Sequence, residues 1–73
     1  METVLVFRTS VTSHRKVRAL KRMLNNLMHR GESWSFDLED CDRILRVEAV
    51  SLQAPAVIRK MRLAGFACEE LAD

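Results

Sequence analysis

Seventy-three residues carry 12 Lys and Arg against 10 Asp and Glu, a net charge of +2, and 48% of the chain is apolar. That length allows one small domain over residues 1–73, and a chain of this size buries only about 60% of its unfolded surface. Near-balanced charge argues against a nucleic-acid protein, no apolar run approaches the roughly 18 residues of a membrane span, and the N-terminus lacks the pattern of a secretory signal.

Residues 3–9, Thr-Val-Leu-Val-Phe-Arg-Thr, are rich in β-branched and aromatic side chains and predict a first strand. A helix follows over 13–29. Its apolar positions Val17, Leu20, Leu24 and Leu27 step by three and four along one face, widened by Met23 and Met28. Arg15, Arg18, Lys21, Arg22 and Asn25 face water. Ser13 is the expected N-cap and Gly31 the expected stop. Trp34, Phe36 and Leu38 alternate with Ser33, Ser35, Asp37 and Glu39, which predicts a strand with one buried face. Asp40-Cys41-Asp42 is the expected hairpin tip, and residues 43–50 return as a third strand with Leu45, Val47 and Ala49 inward. Gln53-Ala54-Pro55 opens a second helix, with Val57, Ile58, Met61 and Leu63 expected on its inner face and Gly65 at its end. Residues 66–71 are the last strand.

The order strand, helix, strand, strand, helix, strand predicts an α+β fold, the ferredoxin-like βαββαβ plait. It has a four-stranded antiparallel sheet in the order 4-1-3-2 and two helices on one face. That topology brings residues 10–16, 40–42 and 65–68 to one rim.

Several spacings resemble the heavy-metal-associated (HMA) domain, the fold of small copper chaperones and of the N-terminal domains of metal-transporting ATPases. That family carries Met-x-Cys-x-x-Cys in its first loop, an aliphatic core residue four positions after the second Cys, and a Leu four further on. Leu20 and Leu24 fit the last two positions. Val11 then takes the Met position, Ser13 the first Cys and Lys16 the second. Asp37-Leu38-Glu39 is similar to the segment before the family's hairpin tip, and Ala64-Gly65-Phe66 to its Ala-Gly-Tyr turn. The Cys-x-x-Cys metal motif itself is absent. A soft monovalent cation selects thiolates, whereas a hydroxyl is hard and an ammonium repels a metal ion. The resemblance therefore implies a metallochaperone-like domain with a degenerate metal site and no cofactor. It further implies that Val11, Ser13, His14, Lys16 and Phe66 form a partner-binding rim, because in the family that rim docks onto proteins.

The alternatives carry their own residues. His14 and Cys68 offer two ligands for a copper or zinc carrier, against the plain reading of a solvated His and a small buried Cys. The cations His14-Arg15-Lys16 oppose the helix dipole, which calls for an offset by Asp40 and Asp42 or by a small anion at the helix start. His29 reads as a contact at the end of the first helix. RNA-recognition domains stack bases on aromatic side chains of the open sheet face, and the central strands here offer none, which again argues against nucleic acid. No nucleophile, base and orienting group fall into a pattern, so no enzyme is expected. Val4, Val6 and Ile44 form an apolar stripe on the open face, a candidate seat for a homodimer. Two lone cysteines, Cys41 and Cys68, suit a reducing cytoplasm.

Overall fold

Residues 2–39 and 41–71 are described by the structure, a computed structural model. The β-branched run predicted as the first strand is β1 (Thr3–Thr9). Then come α1 (His14–Leu27), β2 (Ser33–Asp37), β3 (Ile44–Ala49), α2 (Ala54–Leu63) and β4 (Cys68–Glu70). The fold is α+β, with four antiparallel strands in the order β2-β3-β1-β4 and two helices.

The register sorts side chains between the two sheet faces. Leu5 pairs with Val47, Phe7 with Leu45, Thr9 with Cys68, Trp34 with Val47 and Phe36 with Leu45. Directly paired residues share a face, so all of these point one way. Phe7, Leu45, Val47, Ala49 and Cys68 join Leu20 and Leu24 of α1 and Ala54, Val57 and Met61 of α2 in one buried cluster. Both helices therefore cover the same face of the sheet. Trp34 and Phe36 pack edge to face at its border, with ring centroids 5.9 Å apart. The indole N–H of Trp34 donates to Asn25 Oδ1 at 2.8 Å, fastening β2 to α1.

Four expectations are corrected. α1 ends at Leu27, not near 29, because Met28 turns extended while its N–H still bonds Leu24 O. Gly31 is left-handed at φ +82°, but in the following turn and not as the helix stop. Leu63 lies on the outer side of α2 and is 72% exposed, so the inner face consists of Ala54, Val57 and Met61, with Ile58 half-buried. Finally, β4 is confined to three residues. Phe66 and Ala67 form the connection from α2, and Leu71 adds one further bond, from its N–H to Val6 O.

Candidate functional site

Three loops meet at the end of the sheet where β1 finishes, and backbone geometry joins them. The Thr9 N–H donates to Asp42 O at 3.2 Å, and its hydroxyl donates to Arg43 O at 2.7 Å. The same oxygen accepts the Val11 N–H. Arg43 holds a left-handed φ of +52°, which aims its carbonyl at Thr9. One residue on, the Ser10 N–H donates to Ala67 O, and Ser10 Oγ accepts the Ala67 N–H at 2.9 Å. The β1–α1 loop is thus bonded on one side to the hairpin and on the other to the α2–β4 connection. Asp40, expected at the hairpin tip, lies outside the described residues.

Within this rim the five residues singled out from sequence have different fates. Val11 is 0% exposed and belongs to the core cluster, so it offers no surface to a partner. Its place at the turn from sheet to helix directs it inward. Ser13 is the N-cap: its backbone is extended and its hydroxyl accepts the Lys16 N–H at 3.3 Å. His14 and Lys16 are exposed on the first turn of α1. The Lys16 ammonium donates to Thr12 Oγ1 at 3.0 Å. Phe66 is half-buried against the core. It follows Gly65, whose φ of +94° lets the Gly65 N–H reach Arg62 O and the Phe66 N–H reach Met61 O, the Schellman closure of α2. Asp42 pairs with Arg8, Oδ1 to Nε, at 3.4 Å.

The two alternative ligands lie in different surroundings. Cys68 is buried in the core cluster, paired across the sheet with Thr9, while His14 faces solvent. Burial pushes the Cys68 thiol up to about 11, against a smaller opposing pull from Arg62, so the sulfur keeps its proton at neutral pH. Cys41 is exposed. Among the described residues no three His, Cys, Asp or Glu side chains gather in one place.

A second polar constellation, at the opposite end of the sheet, escapes the sequence. Glu32 lies between α1 and β2 with its side chain fully shielded. Its Oε1 accepts the His29 N–H at 2.6 Å, and its Oε2 accepts the N–H groups of Val50, Ser51 and Leu52 at 2.7, 2.9 and 2.8 Å. Burial opposes ionisation, yet the four N–H donors override it and hold the carboxyl at about 2. His29 Nδ1 lies 2.6 Å from Ser51 Oγ and 3.5 Å from Glu32 Oε1. Ser, His and Glu thus stand together, but both partners meet the same ring nitrogen. A nucleophile–base–acid relay needs them on opposite nitrogens, and this carboxylate is already committed to the backbone. The cluster ties two loops together. His29 serves that tie and not the helix end.

The open sheet face is less apolar than the stripe suggested. Ile44 is buried within the chain itself, between Arg8 and Asp37 in the register, which leaves Val4, 46% exposed, and the half-buried Val6 among Arg8, Arg46 and Glu48. No family model matches the chain, nor does any curated protein or solved structure.

Proposed function

We propose that this chain is a ferredoxin-like plait of heavy-metal-associated ancestry that has lost its metal ligands and acts as a protein-interaction or regulatory module in the cytoplasm. The plait reading is supported by the order β2-β3-β1-β4, with a helix following β1 and another following β3. The observation that carries the functional reading is the state of the two positions where the resemblance expects thiolates. The Ser13 hydroxyl caps α1, and the Lys16 ammonium bonds Thr12. One is a hard oxygen with a structural task and the other a cation, so neither holds a soft metal ion. The exposed part of the rim, His14 and Lys16 with the half-buried Phe66 beside them, is the docking surface, and the buried Val11 supports it from within. The reading assigns no cofactor and no catalysis. A free exposed thiol at Cys41 favours a reducing compartment.

Titration with copper(I) and with zinc under reducing conditions tests this reading. Neither metal is expected to bind stoichiometrically below about micromolar. Tight binding that disappears in His14→Ala or Cys68→Ala would make the chain a metal carrier instead.

A further inference from the structure

The near-neutral total charge averages over two very different layers. α1 carries Arg15, Lys16, Arg18, Lys21 and Arg22, and α2 carries Arg59, Lys60 and Arg62, while neither helix contains an Asp or Glu. These are eight of the chain's 12 Lys and Arg residues, and every one is exposed. Among the described residues none of the eight is in an ion pair. Because both helices cover the same sheet face, the cations form one layer. Arg22 bridges it: it lines a shallow depression with Arg18, Lys21, Asn25 and Asn26, and also the groove that reaches Lys60 of α2. On α2, Lys60 and Arg62 suit the last turn, but on α1 the arrangement does not serve the helix. The first turn of α1 has cations and no acid, and its last turn has no cation, the reverse of what the helix dipole favours. Arg15, Arg18 and Arg22 also repel one another at spacings of three and four.

We propose that this helical layer docks onto the phosphate backbone of double-stranded nucleic acid without reading its sequence. The absence of acids from both helices fits a polyanion. Five of the eight cations are Arg, whose planar fork matches phosphate oxygens, and Asn25 and Asn26 add neutral donors beside Arg22. From Arg15 to Arg22 the helix rises about 10 Å, a length of duplex that presents about six phosphates. Neither helix bears a Phe, Tyr or Trp, and His14 stands alone at the start of α1, so the layer has no platform for stacking successive unpaired bases. Its one exposed large apolar side chain is Leu63. That is too little for a membrane wedge or for the anchored centre of a protein interface.

Lys16 belongs both to this layer and to the rim, but the other seven cations lie outside the rim residues and the layer does not depend on the rim reading, so metal titration and duplex titration fail independently. The test is fluorescence anisotropy of a labelled mixed-sequence DNA duplex of about 20 base pairs, titrated with the intact chain between about 50 and 200 mM NaCl. Binding is expected at the lower salt, with log K falling against log salt at a slope of about −4, the release expected from four to five neutralised phosphates. The Arg18→Gln, Arg22→Gln, Lys60→Gln triple variant should bind at least tenfold more weakly. Arg46→Gln, on the opposite sheet face, should change binding less than twofold. If the triple variant loses its circular dichroism, Arg22→Gln alone decides, through a slope shallower by about one. No duplex binding at about 50 μM protein in the lower salt overturns the proposal, as does equal weakening by Arg46→Gln. Binding to phosphatidylglycerol vesicles without binding to the duplex overturns it in favour of a membrane.

Discussion

Glu32 Oε2 accepts the Leu52 N–H at 2.8 Å across twenty positions of sequence, joining the entry to β2 with the turn before α2. With Val50, Ser51 and His29 bonded to the same carboxylate, a single side chain closes the end of the domain opposite the rim. The carboxylate acts here as a structural anion, and its charge is what four N–H dipoles are arranged around.

The first prediction concerns acid stability. The Glu32 carboxyl is held at about 2 in the fold against an ordinary value of 4.5. A depressed carboxyl contributes stability that is complete above its unfolded pKa and is lost as pH falls through the folded one. Urea midpoints should therefore fall as pH drops from about 5 toward 2. Glu32→Gln keeps an acceptor but loses the charge, so it should be less stable at pH 7 and show a flatter profile over that window. An unchanged profile in Glu32→Gln would assign the acid sensitivity elsewhere.

Thr9 joins two loops through one hydroxyl, which donates to Arg43 O and accepts from Val11 N–H inside the protein. Thr9→Val preserves shape and removes both bonds, taking the hydroxyl partner from the buried Val11 N–H and from the part-buried Arg43 carbonyl. The expected loss is about 1–3 kcal/mol in equilibrium urea unfolding. Thr9→Ser keeps the hydroxyl and should lose less. Equal stability of Thr9→Val and the parent would mean that solvent replaces those bonds.

Two leucines of similar chemistry should behave oppositely. Leu24 is fully buried between α1 and the sheet, and Leu24→Ala should cost about 2–5 kcal/mol through lost contacts and the cavity left behind. Leu63 projects into solvent, and Leu63→Ala should stay within about 0.5 kcal/mol of the parent. A large loss in Leu63→Ala would return that residue to the inner face of α2.

The two cysteines should separate by reactivity. Cys41 is exposed and should react with a disulfide reagent at neutral pH without unfolding. Cys68 is buried, with its thiol pushed up to about 11, and should react only after denaturant is added. Two fast thiols in the native protein would show that β4 opens readily. This matters for the metal question, because a carrier using Cys68 needs that thiol within reach.

Local chemistry made most elements legible. The run of β-branched residues specifies β1, the three-and-four spacing of Leu20 and Leu24 specifies the buried face of α1, and Ser13 caps it as its hydroxyl predicts. Leu63 departs from the expected inner face for an equally local reason. A helix of ten residues gives its apolar stripe few repeats, and the last turn can point outward without breaking the pattern. Val11 stands in the connection between β1 and α1, where the resemblance places it on the rim. Its burial depends on the path from β1 into α1, which the order of residues alone does not reveal.

Sequence by itself determined the alternation of strands and helices, the caps at Ser13 and Gly65, and the presence of a hydroxyl and an ammonium at positions 13 and 16. Each of these follows from side-chain chemistry acting over a few neighbouring residues. Tertiary structure alone decided three of the partners of Glu32, which come from a loop 18 to 20 residues away, and the shared sheet face of two helices whose Lys and Arg residues meet no Asp or Glu on either helix. Burial and charge segregation arise when distant segments pack against one sheet face, and a linear pattern does not contain that proximity.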